Sequence, residues 1–305
     1  MDKRTAKKLV FAENAVPQST VFTVTVLSSG PRERKEMHLS KNVLKTTCSF
    51  WISDKQVDCF FDTVDLFFIL GVGRSGTTLL ARLLGADPAA AVFHEPISDD
   101  FKAFVQAHKS AMAARQYLSR FRKKMMYLLV RHRKIAIYGE VNSALRYHGD
   151  ALRRCFPHAK LLHLVRDPRD VVRSLYSRKH YTAKGKDHHL LSPGSDDPLA
   201  GSWQEMSRFA RLCWLWVDAN RRLRRDVGRL LHFEKLIIDY SYFNSEVENY
   251  LNLNVGKERW LQAVERPANP TDAHLLPPWP QWSAEMKQTF LDICADEMSA
   301  CGYTV

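Results

Sequence analysis

Three common features are absent from this 305-residue chain. No two of its six cysteines are spaced as CxxC, which argues against a zinc site and a disulfide framework and favours a reducing compartment. No run of 18 apolar residues occurs, so the sequence predicts no membrane span. The basic N-terminus lacks the apolar stretch of a secretory signal. These absences predict a cytoplasmic protein.

The composition is that of a large globular domain with an excess of positive charge. The chain is 45% hydrophobic, enough for one α/β domain with a buried core, and no flexible linker is evident in its middle. It carries 45 Lys and Arg against 33 Asp and Glu, a net charge of +12. This balance suits an anionic partner, such as nucleic acid, an acidic membrane or a phosphorylated small molecule, but equally a solvated basic surface.

Apolar runs of strand length alternate with helical patterns from residue 66 onwards. Strands are predicted at 66–72, 135–141, 160–165 and 229–233. Helices are predicted at 77–84, 99–133, 144–156, 168–180, 203–227, 241–253 and 283–300, and a polar, mobile loop at 181–201. This alternation predicts an α/β fold with a parallel β-sheet flanked by helices. We expect a single domain over residues 61–305, preceded by a segment of unclear role over residues 1–60 with short strands at 21–26 and 48–52.

The turn between the first buried strand and its helix resembles a phosphate-binding loop. A loop at a helix N-terminus presents backbone N–H groups to an anion. Gly71, Gly76 and Thr78 fit the spacing of a Walker A loop, but Thr77 occupies the position of its lysine. Arg74 supplies one positive charge within the loop instead. The missing lysine argues against hydrolysis of a nucleoside triphosphate.

A second candidate anion site follows the strand at 160–165. Arg166 ends this strand, Pro168 opens the next helix, and Ser174 lies about two turns into it. Ligands of open α/β sheets bind at the carboxyl ends of the strands, so Arg166 and Ser174 are placed to reach one anion beside the first loop. Arg169 and Arg173 either join them or pair with neighbouring carboxylates or solvent.

Together these motifs resemble those of the sulfotransferases that use 3′-phosphoadenosine 5′-phosphosulfate (PAPS), and within them the carbohydrate-modifying and bacterial branches. The family's [KR]SGT[TS] loop is matched by Arg74, Ser75, Gly76, Thr77 and Thr78. Its R-[DN]-P-[RK] motif, with a serine eight residues after the arginine, is matched by residues 166–169 and 174. The resemblance runs from residue 66 to the C-terminus and implies a P-loop NTPase-like fold.

The resemblance implies a role for each matched group. Residues 74–78 would hold the 5′-phosphosulfate, and Arg166 with Ser174 would hold the 3′-phosphate. Phe233 stands where the family usually has a tyrosine that reaches the nucleotide. The implied product is adenosine 3′,5′-bisphosphate (PAP), with no metal required and no nucleic-acid partner. The implied acceptor is a small soluble molecule or sugar with a hydroxyl or amine, its identity left open.

Transfer of a sulfonate group needs a base to remove the acceptor's proton. Glu95 is our first candidate, at a place where family members carry an acid facing the donor, and His94 is its rival. Neighbours on an extended segment point opposite ways, so we expect only one of them to face the site. Glu140 is a lesser candidate, and Arg146 is a candidate for the role of a lysine that relatives carry near Val141.

Other features have simpler interpretations. His180, His188 and His189 are expected to be solvated loop residues, and Trp214 and Trp216 core residues. Arg221, Arg222, Arg224 and Arg225 are expected on a solvated helix face.

Three other functions remain open at this point. They are a small-molecule kinase, a non-enzymatic binder of polyanions, and a family member that has kept the fold but lost turnover.

Overall fold

The computed structural model describes residues 22–24, 37–39, 52–182, 191–266 and 273–305. The chain divides into two units, Met1–Asp58 and Cys59–Val305. In the first unit, strand β1 (Phe22–Val24) pairs antiparallel with β2 (Met37–Leu39), which confirms the centre of the strand predicted at 21–26. The strand predicted at 48–52 lies outside the described residues except for Ile52.

The second unit is built on a five-stranded parallel sheet in the order β4-β5-β3-β6-β7. Its strands are β3 (Asp65–Gly71), β4 (Ala90–His94), β5 (Ile137–Asn142), β6 (Lys160–Val165) and β7 (Leu230–His232). Every pairing between neighbours is parallel, and β3 lies at the centre with six of its seven residues buried. The predicted α/β class and parallel sheet are therefore confirmed.

Helices flank this sheet. They are α1 (Asp54–Phe61), α2 (Thr77–Leu84), α3 (Asp100–Lys109), α4 (Ala111–Tyr117), α5 (Lys123–Val130), α6 (Gly149–Cys155), α7 (Pro168–Tyr176), α8 (Arg208–Asp226), α9 (Phe233–Ile238), α10 (Tyr240–Phe243), α11 (Asn249–Leu251), α12 (Lys257–Val264) and α13 (Ala284–Ala300). Two π-helical turns, Leu118–Arg122 and Asn244–Glu248, join α4 to α5 and α10 to α11, and a short 3₁₀ turn spans Trp279–Gln281. No helix in the described ranges is long and apolar enough to cross a membrane.

Local capping chemistry explains several helix starts. Asp167 caps α7 by accepting from the backbone N–H of Arg169, with Pro168 in the first turn, where its missing N–H costs nothing. Ser207 caps α8 in the same way, so this helix begins five residues later than the sequence predicts. The bounds predicted for α2 and β6 are confirmed residue for residue.

Other bounds differ from the sequence prediction for identifiable reasons. The helix predicted at 144–156 begins only at Gly149, because the side chain of Asn142 accepts from the backbone N–H groups of Ala144 and Leu145 and holds a turn there. The helix predicted at 241–253 is interrupted by a π-helical turn. The short elements β4, α9 and α12 were not predicted.

A hydrophobic cluster joins the sheet to α2 and to the helices after β7. Ile69, Leu84, Leu162 and Trp260 are among its buried members. Trp214 and Trp216 are also buried, which confirms them as core residues. This packing holds the loop before α2 and the start of α9 at the carboxyl edge of the sheet.

Candidate active site

The loop between β3 and α2 has left-handed backbone at two positions. Gly76 has φ 93°, which suits a glycine, but Arg74 has φ 74°, a conformation that costs a side-chain-bearing residue on the order of 1–3 kcal/mol. The hydroxyl of Ser75 is buried and has no hydrogen-bond partner among the described residues. A strained arginine beside an unpaired buried hydroxyl is typical of a loop shaped to receive a ligand.

Phe233, the first residue of α9, packs directly on this loop. A Cβ atom added to Gly76 would lie 2.0 Å from the Phe233 ring, so only glycine fits here. The Arg166 guanidinium lies over the same ring, 5.0 Å from its centroid, within cation–π range. Phe233 therefore contacts both predicted phosphate motifs through its ring.

The two motifs meet although they are about 100 residues apart in sequence. Arg74 Nε donates a hydrogen bond to Ser174 Oγ at 2.9 Å. Arg166 donates one to the carbonyl of Arg74 at 3.3 Å and another to Asp170 at 3.0 Å. The Nε atom of Arg166 is buried without a partner among the described residues. Arg74, Arg166 and Ser174 thus form one cluster at the carboxyl ends of β3 and β6.

The cluster is electropositive. Burial and the neighbouring charges of Arg178 and Arg166 lower the pKa of Arg74 from its ordinary value. A bound anion would relieve this repulsion between like charges. Arg173 lines the same cleft and donates to the carbonyl of Leu276. Arg169 instead makes hydrogen bonds to Asp167 and does not line the cleft.

Both base candidates line the cleft. His94 Nε2 lies 3.0 Å from Thr77 Oγ1 and 3.3 Å from Thr78 Oγ1, whereas one oxygen of Glu95, Oε1, accepts hydrogen bonds from Ser143. The two side chains come within 3.9 Å of each other. The expectation that only one faces the site is wrong, because Glu95 has φ 48° and the chain is not extended there.

Glu140 is not a candidate base. It is fully buried and accepts hydrogen bonds from Arg122, Tyr138 and Asn142. Arg122 also bonds both oxygens of Asp100. Burial lowers the pKa of Arg122, but the charges of Glu140 and Asp100 outweigh this effect and raise it well above its ordinary value. This cluster is a buried ion-pair network beneath the site.

Arg146, the candidate for the role of the relatives' lysine, does not reach the cleft either. Arg146 donates to the carbonyl of Ser143 at 2.7 Å and lies over the ring of Phe104. It is absent from the residues that line the cleft. Of the three loop histidines, His180 accepts a hydrogen bond from Arg208 at its backbone carbonyl, and His188 and His189 lie outside the described residues.

The cleft has a volume of about 520 Å³, within the usual range for a small-molecule site. Its lining includes residues that the sequence did not single out as ligand contacts, namely Ser143, Asp170, Ile237, Val264 and His274. Ser143 follows directly after β5, so its position at the carboxyl edge of the sheet was a usable signal. Within the described ranges, no group of three or more His, Cys, Asp or Glu residues is placed to hold a metal ion.

The sulfotransferase family model matches residues 67–254, more than half of the chain, and includes both phosphate motifs. The protein therefore belongs to the sulfotransferase family, and its fold is the P-loop-like sulfotransferase fold. No protein of curated function matches the chain in sequence.

Solved sulfotransferase structures are similar to the chain at low identity. STF1 from Mycobacterium tuberculosis is 16% identical, with 82% of each chain covered and a TM-score of 0.45. STF9 from Mycobacterium avium is 13% identical, with 82% of each chain covered and a TM-score of 0.46. Mouse SULT7A1, complexed with PAP, is 13% identical over 81% of this chain and 91% of its own, with a TM-score of 0.42. At this level the likeness assigns no residue role.

Proposed function

We propose that this protein transfers a sulfonate group from PAPS to a hydroxyl or amine of a small acceptor. The observation that carries the proposal is the convergence of Arg74, Arg166 and Ser174 beside the helix N-terminus of α2. This arrangement offers two adjacent anion positions. PAPS has two such groups, the 5′-phosphosulfate and the 3′-phosphate.

The residues present fit this donor. Residues 74–78 would hold the phosphosulfate, with the unpaired hydroxyl of Ser75 available as a donor. Arg166 and Ser174 would hold the 3′-phosphate, and the unpaired Nε of Arg166 is available to it. The ring of Phe233 would pack against the nucleotide. When bound, PAPS supplies the activated sulfonate group.

The environment of Thr77 favours a sulfonate donor over ATP. Thr77 occupies the position at which a Walker A loop carries its lysine, and its hydroxyl lies 3.0 Å from His94 Nε2. Charge on the leaving phosphate would be neutralised by Arg74 and by hydroxyl and backbone donors of the loop. His94 would orient the hydroxyls of Thr77 and Thr78 toward that charge.

Glu95 would act as the general base. Ser143 fixes its oxygen Oε1 from both the backbone N–H and the side chain. The carboxylate would accept the proton that the acceptor hydroxyl or amine loses as it attacks sulfur. The cleft volume of about 520 Å³ favours a small molecule or a sugar as the acceptor.

The test is thermal unfolding with PAP compared with ATP·Mg²⁺ at equal concentration. A ligand at about 100 times its dissociation constant stabilises the fold by about 2.7 kcal/mol, a Tm shift of a few degrees. We expect a shift with PAP that is lost in Arg166→Ala and kept in Arg169→Ala, whose side chain is bonded to Asp167 outside the cleft. A shift with ATP·Mg²⁺ alone would overturn the proposal in favour of a kinase.

A further inference from the structure

Most of the excess positive charge lies in one stretch of the chain. Residues 101–139 contain ten Lys and Arg and no Asp or Glu. The remaining residues carry 35 Lys and Arg against 33 Asp and Glu and are nearly neutral. The charged stretch comprises α3, α4, the π-helical turn, α5 and the start of β5.

All but one of these basic side chains lie at the surface. Arg122 is buried between Asp100 and Glu140. The others are exposed or half-buried, and we call them the basic surface: Lys102, Lys109, Arg115, Arg120, Lys123, Lys124, Arg131, Arg133 and Lys134. Helix α4, the π-helical turn and α5 form a continuous helical run of residues 111–130, about 30 Å long. Four members of the basic surface, Arg115, Arg120, Lys123 and Lys124, lie along this run.

A second basic run in the same chain, on α8, is neutralised by ion pairs with nearby carboxylates. On α8, Arg222 pairs with Asp218, Arg224 with Glu297 and Arg225 with Asp226. Arg221 lies 3.9 Å from Glu297. Arg221, Arg224 and Arg225 are exposed, which confirms the expectation of a mostly solvated face, and neighbouring carboxylates neutralise this face.

Six of the nine members of the basic surface lack such a carboxylate in the part of the chain that the structure describes. Lys102, Lys109, Arg120, Arg131, Arg133 and Lys134 form no ion pair with any residue in the described ranges. Arg115 has a single carboxylate at 3.7 Å, which Arg154 shares. Like charges concentrated without counter-charges destabilise the free protein, so this surface fits an anionic partner.

Apolar side chains on the same helices indicate which kind of anion. Phe101 is 38% exposed beside Lys102, and Met112 is 61% exposed one turn before Arg115. They are two of the six large apolar side chains most exposed among the described residues. A polysaccharide or nucleic-acid backbone offers them no apolar environment, whereas the interface of a bilayer does.

We propose that the basic surface docks this protein on an anionic phospholipid membrane. Lys and Arg side chains would contact the lipid headgroups, and Phe101 and Met112 would enter the interface. Binding would be peripheral and reversible, because it combines charge attraction with only two apolar side chains. The docking is independent of the proposed chemistry, so PAP binding can fail without affecting it.

The experiment measures partition of the full chain onto vesicles of phosphatidylcholine with and without 30% phosphatidylserine. We expect binding only to the anionic vesicles and its loss at 0.5 M NaCl, where charge attraction is screened. Each Lys or Arg near such a surface strengthens binding about fivefold. The variant Lys102→Gln/Arg120→Gln/Lys134→Gln should therefore bind about 100-fold more weakly. The matched control Lys179→Gln/Lys235→Gln/Lys257→Gln removes the same charge elsewhere and should bind like the unmodified chain.

A second variant separates lipid from soluble polyanions. Phe101→Ser/Met112→Ser should weaken binding to anionic vesicles and leave binding to heparin unchanged. Equal binding of the two triple variants to anionic vesicles would overturn the proposal. Vesicle binding that is unaffected by the apolar substitutions, together with tighter binding to heparin or DNA, would also overturn it and assign the surface to a soluble polyanion.

Discussion

Ser143 donates two hydrogen bonds to the same oxygen atom of Glu95, one from its backbone N–H at 3.2 Å and one from its hydroxyl. This contact joins the carboxyl ends of β4 and β5. Glu95 also has a left-handed backbone conformation, and these hydrogen bonds help to offset its conformational cost. The carboxylate is thereby held toward the cleft in one orientation.

Ser143→Ala tests the contact between Ser143 and Glu95. It removes the hydroxyl donor and keeps the backbone donor, so we expect kcat to fall about tenfold with KM for PAPS unchanged. Ser143→Thr, which keeps a hydroxyl, should restore kcat. An unchanged kcat in Ser143→Ala together with lower stability would reduce Ser143 to a structural role.

Substituting Glu95 and His94 one at a time distinguishes their roles. Glu95→Gln should lower kcat by about 10²–10⁴ and leave the PAP-induced Tm shift intact, since only proton transfer is lost. His94→Asn should mainly raise KM for PAPS, because it releases the hydroxyls of Thr77 and Thr78. Single-turnover rates and KM measured for both variants check this. The reverse pattern would make His94 the base.

Glu140→Gln should affect stability and not chemistry. The substitution unbalances a buried network in which Arg122 faces Glu140 and Asp100, and breaking such a network costs about 3–5 kcal/mol. Urea unfolding should show this loss, while kcat per folded molecule stays within about twofold. A large fall in kcat with normal stability would return Glu140 to the list of candidate bases.

Two buried histidines predict acid sensitivity. Burial lowers the pKa of His148 to about 3 and that of His163 to about 4, below the value of about 6.5 expected in the unfolded chain. The unfolded state therefore binds more protons below pH 6.5, and stability falls as the pH drops from there toward 4. Each histidine contributes about 1.4 kcal/mol per pH unit in this window.

Urea unfolding at pH 7, 6 and 5 measures this slope. His148→Leu should lower the slope of the unfolding free energy with pH by about 1.4 kcal/mol per pH unit. The substitution is a clean test because the ring nitrogens of His148 have no hydrogen-bond partner among the described residues. His163→Leu is a less clean test, since His163 contacts Asn220 at 2.8 Å. An unchanged slope in His148→Leu would show that other groups control the acid sensitivity.

The sequence predicted the parts of the site that depend on strand and helix periodicity. Arg74 and Arg166 follow buried strands, and parallel strands end at one edge, so their meeting could be expected. It could not predict the direction of Glu95, which depends on a positive φ, nor the burial of Glu140, which depends on Arg122 from a separate helical segment. Contacts set by tertiary packing leave no periodic signal.

The single domain expected over residues 61–305 stays a prediction, as do the roles proposed for the site residues.

The helix predicted at 99–133 shows that secondary structure, too, is only partly predictable from the sequence. Its helical character is confirmed, but Ser110 ends one helix and caps the next by accepting from Ala113 N–H. A serine within a helical pattern does not reveal which of these it will do.

The contact between Gly76 and Phe233 constrains how this family member can evolve. A Cβ at position 76 would overlap the ring, and the left-handed backbone there disfavours any side chain. A smaller residue at position 233 would therefore not by itself allow a residue other than glycine at position 76. Position 233 is freer, but each replacement must also suit the guanidinium of Arg166. Substitutions in homologues are therefore expected to arise first at 233 and to co-vary with 166, while 76 stays invariant.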